Sequence, residues 1–136
     1  MDIEAARQFL RTHHRGVLVT SRADGRPQTS PVLATVDPAG RLVISSREAA
    51  YKVRNLRRDA HGTYCGFTDA FFGDWLQVDG TADVVSLPAA MDGLIDYYRS
   101  AAGEHDDWDA YRQTMQREQR VLITLTIERA GPDRSG

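Results

Sequence analysis

Basic residues are concentrated between Ser45 and Asp59, although the formal net charge of the whole chain is only -2. Lys52 is the only lysine in the chain. Its ammonium group is a compact point charge, and a charge of this kind suits a phosphate. We therefore expect a phosphate-sized anion site here, and the alternative is a solvated basic helix. The stretch contains five basic side chains: Arg47, Lys52, Arg54, Arg57 and Arg58.

The basic stretch follows a predicted strand and is expected to end as a short helix, because Val53 and Leu56 have helical spacing. Lys52 then lies in the first turn, where free backbone N–H groups and the positive end of the helix dipole favour an anion. The three arginines 54, 57 and 58 crowd one side of the helix, away from Lys52.

Six predicted strands and peripheral helices form the framework for this stretch. The pattern indicates a mainly β protein, a small antiparallel barrel in one domain (residues 1–130) with a flexible tail (131–136). Helices are predicted for residues 2–13, near the end of the basic stretch, from Pro88 to about Gly103, and from Asp106 onward. The predicted strands are 17–21, 27–37, 42–45, 61–68, 75–86 and 120–128.

Composition narrows the functional classes. A pI near 6.1 argues against broad nucleic-acid binding, and the single Cys65 excludes an intrachain disulfide. No apolar run is long enough for a membrane span or resembles a secretion signal. We expect a cytoplasmic protein of 136 residues with neither nucleic-acid nor membrane partners.

Two further features could face a ligand. Pro31 interrupts the second predicted strand, and at such a break Gln28 and Ser30 can turn toward a bound molecule. The alternative is an edge strand that proline protects from pairing. The loop from Asp69 to Asp74 carries the adjacent aromatics Phe71 and Phe72, which loops seldom expose without a reason.

Familiar catalytic motifs are absent: there is no glycine-rich nucleotide loop and no nucleophile elbow. The run His105-Asp106-Asp107 is explained better as a helix start than as a metal site. No catalytic residue is assigned. An anion site, a strand break and an aromatic loop together suit a planar, phosphorylated cofactor that supplies its own reactivity.

The order of several motifs resembles that of the pyridoxamine 5′-phosphate oxidase-like split β-barrel proteins, whose fold is FMN-binding-like. The resemblance is narrower to the actinobacterial flavin/deazaflavin oxidoreductases, B group, which use coenzyme F420. It extends over essentially the whole chain. The motifs are residues 25–32 (GRPQTSPV), 52–59 (KVRNLRRD), 78–82 (VDGTA), 102–105 (AGEH), 107–109 (DWD) and 120–122 (RVL).

The resemblance implies a homodimer with the cofactor at the subunit interface and hydride transfer to an electron-poor, conjugated small molecule. It implies a ring site at Pro31 and Val32, with Gln28 and Ser30 at the polar edge of the ring and Phe72 and Trp75 beside the cofactor. It also implies a phosphate site, arginines near the oligoglutamate tail, and a segment that shapes the substrate pocket. These last residues are Ser45, Ser46, Arg47 and Lys52 for the phosphate, Arg54 and Arg58 for the tail, and His105, Trp108 and Arg112 for the substrate.

This chain departs from the family pattern at two places. Relatives often carry an arginine two positions before the lysine, where this chain has Ala50, and Arg47 could compensate. The C-terminal extension that pyridoxamine 5′-phosphate oxidases use for their substrate is missing, which argues against that activity. Two alternatives stay open: an FMN-binding oxidoreductase of the same fold, and a non-catalytic protein that binds F420 or another anionic ligand.

Overall fold

The computed structural model describes residues 1–70 and 72–135, with the backbone alone at 133–135. Four helices accompany seven strands. The helices are α1 (Ile3–Thr12), α2 (Tyr51–Arg58), α3 (Met91–Ala102) and α4 (Trp108–Arg117). The strands are β1 (Arg15–Ser21), β2 (Pro27–Leu33), β3 (Thr35–Val36), β4 (Leu42–Arg47), β5 (His61–Phe67), β6 (Asp74–Ser86) and β7 (Arg120–Ser135).

All strand pairs are antiparallel, and the single sheet has the order β2-β1-β5-β6-β7-β4-β3. The sheet curls into a split barrel, which confirms the predicted fold class. Pro31 lies on β2, opposite Val17 of β1. Because β2 is an edge strand in the described sheet, the missing N–H of Pro31 leaves no gap in a central ladder.

The expected number of strands was one too low. The sequence predicted one strand over 27–37, but the chain divides at Ala34, whose N–H donates to the carbonyl of His14 at 2.7 Å. Beyond this point Thr35 and Val36 pair with β4 instead of β1. The division therefore carries the chain from one edge of the sheet to the other.

The last strand is longer than expected. The sequence predicted a strand over 120–128, whereas β7 runs to Ser135 and Leu76 of β6 pairs with Asp133. The division into a domain (1–130) and a tail remains a prediction, and Gly136 lies outside the described residues.

Two apolar clusters hold the fold together. The barrel interior is filled by side chains such as Leu18, Tyr64 and Ile123, and α2 adds Val53 and Leu56 to it. A second cluster on the outer side of β4 and β7 packs Val43 and Leu122 against α3 and α4. Among the residues described, no helix has the length and apolar character needed to cross a bilayer.

Candidate functional site

Helix α2 is fixed against the barrel by polar as well as apolar contacts. The buried Asn55 donates to Thr20 Oγ1 at 3.0 Å, and Arg58 donates to Asn55 Oδ1 at 2.9 Å and to the Ser21 carbonyl at 2.7 Å. Arg57 is held by Glu48 at 2.7 Å and by Ser86 Oγ at 2.9 Å. These bonds fix where the N-terminal turn, with Lys52, points.

A cavity of about 650 Å³ opens beside that turn, and we call it the Lys52 cavity. One wall is the edge of β2, from Pro31 to Leu33, and another is the end of β4, from Ser45 to Arg47. Ala49, Ala50, Lys52, Tyr97 and Arg120 complete the lining. An apolar strand edge and a cluster of cations thus border the same space.

Three cations line this cavity, and two of them, Arg47 and Arg120, pair with one carboxylate, Glu118. Glu118 accepts from Arg120 Nε at 2.9 Å and lies 3.5 Å from Arg47 Nη2, and the hydrogen bond from Arg120 is the main reason that the pKa of Glu118 is lowered. Lys52 is half-buried and has no carboxylate within ion-pair distance among the described residues. Burial, and then the charge of Arg120, lower the pKa of Lys52. The cavity is therefore positive and open to an anion.

Among the lining residues that sequence reasoning missed, two carry polar side chains, Tyr97 and Arg120. The Tyr97 hydroxyl donates to the Leu33 carbonyl at 2.9 Å, and burial raises its pKa, partly offset by Arg120 and a backbone bond at Ser45. Helical spacing from Leu94 would have placed Tyr97 on the inner face. Arg120 could be found only through the pairing of β4 with β7, in which it lies opposite Arg47. It provides a cation in the same cavity lining as Ala50.

The other arginines predicted for the cofactor lie on a different side of α2. Arg54 and Arg58 line a second cavity of about 660 Å³ together with Arg22, Tyr51 and Gln28. The Gln28 amide nitrogen donates to the Thr29 carbonyl at 3.0 Å and to Ser30 Oγ at 3.3 Å. Its oxygen Oε1 is buried and has no partner among the described residues. The structure thus places the predicted phosphate residues and the predicted tail arginines in two different cavities.

The aromatic loop is near the apolar wall. Phe67 lines a shallow groove with Pro31, Val32 and Leu33, and Trp75 lies opposite Phe67 in the β5–β6 register. Phe72 is 76% exposed. Phe71, the other aromatic of the predicted loop, lies outside the described residues.

His105 and Trp108 do not line the Lys52 cavity; they form an aromatic cluster with Tyr98 and Tyr111. Ring centroids in this cluster are 5.0–5.8 Å apart. Trp108 Nε1 donates to Glu104 at 3.1 Å, and Arg99 lies 4.7 Å from the Trp108 ring centroid. Arg112 lies near Asp109 at 3.4 Å. Their assignment to a substrate pocket stays a prediction.

The segment before α4 is a helix start, as predicted. Asp107 is the N-cap of α4, and its carboxylate accepts from the Ala110 N–H at 3.0 Å. His105 Nδ1 accepts from the Asp107 N–H at 2.9 Å, which occupies a lone pair that a metal would need. In the described part of the chain, no three His, Cys, Asp or Glu side chains are grouped as metal ligands.

Comparisons with known proteins agree with this architecture. The family model described as pyridoxamine 5′-phosphate oxidase matches residues 3–132. A conserved hypothetical protein from Mycobacterium tuberculosis is similar with a TM-score of 0.78 at 20% identity, over 99% of this chain and 85% of that one.

Among the similar solved structures are an F420 reductase and a heme storage protein. An F420 reductase has a TM-score of 0.71 at 21% identity, over 91% of this chain and 94% of that one. The heme storage protein HutZ from Vibrio cholerae has a TM-score of 0.71 at 19% identity, over 100% of this chain and 98% of that one. At these identities the likeness shows the fold alone.

Proposed function

Because the chain belongs to the pyridoxamine 5′-phosphate oxidase family, we propose that it is a coenzyme F420-dependent reductase acting on an electron-poor, conjugated small molecule. The observation that carries the proposal is the Lys52 cavity, where the apolar edge of β2 and a cluster of cations border one space. A phosphorylated, planar cofactor needs both kinds of surface at once.

The donors of the cavity fit a phosphate. Lys52 and Arg47 supply cationic N–H donors, Ser45 and Ser46 add hydroxyl groups, and the N-terminal turn of α2 adds its dipole. We assign the phosphate to these groups. Arg120 then takes the role of the arginine that relatives often carry at the position of Ala50. The deazaflavin ring is assigned to Pro31 and Val32.

We assign the polar edge of the ring and the oligoglutamate tail to residues of the second cavity, on the other side of α2. Gln28 Oε1 needs a hydrogen-bond donor, and N–H groups of a deazaflavin ring can provide one at the polar edge near Ser30. Arg54 and Arg58 are exposed beside it, and we assign them to the acidic oligoglutamate tail. Arg57 is less available for the tail because Glu48 and Ser86 already hold it.

When bound, the reduced cofactor supplies hydride chemistry, so the chain needs no nucleophile of its own. The protein's own residues hold the phosphate and orient an acceptor beside the β2 edge, which gives the proximity that such a transfer requires. Burial raises the pKa of Tyr97 further above neutral pH, and its protonated hydroxyl donates to the Leu33 carbonyl. Tyr97 therefore forms an immobile part of the cavity wall and does not donate a proton in the reaction.

A homodimer with two interface sites is part of the proposal. Leu33 is 49% exposed at the rim shared by the Lys52 cavity and the apolar groove of Phe67. A partner subunit that covered this rim would exclude water from the ring site. It could also bring Phe72, Trp75 or the His105–Arg112 segment to the site.

FMN is the second candidate cofactor, because its phosphate fits the same donors. It has no oligoglutamate tail, so it leaves Arg54 and Arg58 without a role. A carrier that binds F420 without turnover is the third possibility, since no catalytic acid lines the cavity. Heme fits less well, because none of the four histidines lines the Lys52 cavity and heme iron commonly takes a histidine ligand.

The deciding experiment is a fluorescence titration of cofactor-free protein with F420, FMN and heme, followed by turnover with reduced F420 and a panel of conjugated acceptors. We expect micromolar or tighter binding of F420 and much weaker binding of FMN. A preference for FMN would make the chain a flavin protein. Tight F420 binding without oxidation by any acceptor would favour the carrier.

A further inference from the structure

Lys52 has an unusual position for a side chain that could react covalently. It is the only lysine, so the chain has just one other amine, the N-terminal group of Met1. The Met1 amine lies by the end of β7, where it donates to the Ala130 carbonyl at 3.5 Å. The Lys52 amine, by contrast, lines the cavity beside Tyr97 and Arg120. One buried and one surface amine can therefore be compared within the same molecule.

The surroundings of Lys52 shift its protonation equilibrium toward the neutral, nucleophilic amine. The side chain is half-buried, and no carboxylate among the described residues pairs with it. Glu118, the carboxylate that pairs with the other two cations, is engaged by Arg120 and Arg47. Burial and the Arg120 charge lower the pKa of Lys52, which raises the fraction of free amine at neutral pH.

The same cavity holds a handle for a phosphate. Glu118 occupies only part of the fork of each arginine, so further N–H groups of Arg47 and Arg120 remain for a second anion. The cavity volume of about 650 Å³ is ample for a sugar phosphate of four carbons. An anion held there would place the rest of the molecule next to Lys52.

We propose that Lys52 is a carbonyl-reactive amine, and that the cavity binds small phosphorylated aldehydes and condenses them with Lys52 Nζ to an imine. The lone pair of the neutral amine attacks the carbonyl carbon and a C–N bond forms. The nitrogen then gives up its two protons, the carbonyl oxygen takes up two and leaves as water, and C=N replaces C=O. Nothing is oxidised or reduced. The proposal depends on the cavity and not on a cofactor or on the reductase reaction.

Erythrose 4-phosphate is a suitable probe, with erythrose as its control lacking the phosphate. The full chain is incubated with each sugar and cyanoborohydride, which reduces the imine to a stable secondary amine. Peptide mapping by mass spectrometry then gives the labelling rates at Lys52 and at Met1. We expect the phosphate to accelerate labelling of Lys52 about tenfold, the worth of one charge-assisted hydrogen bond, and to leave Met1 unaffected.

Two further measurements separate binding from simple reactivity. Inorganic phosphate should slow labelling of Lys52 and not of Met1. Arg47→Gln should remove most of the phosphate preference, whereas Arg11→Gln, on α1 and paired with Glu4, should retain it. Lys52→Arg should fold normally by circular dichroism and carry label only at Met1.

Equal rates with erythrose and its phosphate, or no protection by inorganic phosphate, would overturn the phosphate-guided reaction. Label at Met1 alone would overturn the reactive amine. Because no F420 is present, neither result bears on the reductase proposal, and a failed F420 titration leaves this one intact.

Discussion

The Lys52 cavity and the aromatic cluster of α3 and α4 were both expected to belong to a ligand site, yet their contacts differ. In the cluster, Trp108 is bonded to Glu104 and covered by Arg99, and the Tyr111 hydroxyl donates to the Leu94 carbonyl at 2.8 Å. In the cavity, Lys52 lacks an acidic partner among the described residues, and the other two cations, Arg47 and Arg120, share one carboxylate. The two regions are neighbours, because the charge of Arg120 also acts on Tyr111.

This difference distinguishes polar groups that stabilise the fold from polar groups that can bind a ligand. Polar groups that find their partners within the chain stabilise the fold and have little left to offer a ligand. Cations held beside an open space without enough acids raise the free energy of the empty protein, and an anion relieves that cost. The comparison assigns stability to the cluster and binding to the cavity, and four substitutions test it.

Trp108→Ala should have the largest effect, a loss of about 3 kcal/mol in the free energy of unfolding, because the ring packs against three other rings and Arg99. Urea unfolding measures the loss, and Trp108→Phe should recover much of it. F420 affinity should stay within about twofold, well under the tenfold worth of one charged hydrogen bond. A folded Trp108→Phe variant with impaired turnover would instead place Trp108 in the substrate pocket.

Lys52→Ala should weaken F420 binding by about 1.5–3 kcal/mol, the usual worth of a charge-assisted hydrogen bond. The unfolding free energy should not fall, since Lys52 has no ion pair to lose among the described residues. Lys52→Arg keeps the charge and serves as the matched control in the fluorescence titration. Unchanged affinity in the alanine variant would remove Lys52 from the site.

Tyr111→Phe should cost about 1 kcal/mol of stability at neutral pH through the lost bond to Leu94. Burial, as the main cause, raises the pKa of Tyr111 from 10.0 to about 12. The unfolded chain therefore loses this proton first, and the contribution of Tyr111, complete below pH 10.0, is lost as the pH rises to about 12. Urea unfolding of both proteins should converge over this window. A difference that stays constant would show that the phenol titrates normally.

Arg54→Ala should have the smallest effect. Arg54 is exposed, so its loss should leave stability unchanged and weaken binding of F420 with a long oligoglutamate tail by about 0.5 kcal/mol at low salt. Arg57→Ala is the contrasting variant, because it breaks the bonds to Glu48 and Ser86 and should reduce stability instead. Titrations with short and long tails distinguish them, and an equal effect on both tail lengths would contradict the assignment.

The sequence predicted the helices and strands better than the contacts between residues that are distant in the chain. Local signals were sufficient for α2, where Val53 and Leu56 have helical spacing, and for the N-cap Asp107. The split of the second strand at Ala34 depends on a hydrogen bond to His14, twenty residues earlier, and no local pattern encodes it. Arg120 was missed for the same reason, since its place beside Arg47 follows from strand pairing across the sheet.

The candidate site was anticipated in its charge but not in its shape. The cluster of basic residues predicted an anion site, which stays a prediction, and Pro31, Val32 and Lys52 line one cavity. The separation of Arg54 and Arg58 from Lys52 depends on how α2 is rotated against the barrel. That rotation is set by the bonds of Asn55 and Arg58, which are contacts between distant segments.

Glu118 has a kinetic consequence beyond its charge. By holding Arg47 and Arg120 at the same time, it restricts their rotamers before any ligand arrives, so binding costs less side-chain entropy. The same carboxylate repels an approaching anion and slows its capture. We therefore expect Glu118 to lower the association rate of an anionic ligand and to lengthen its residence time in the cavity.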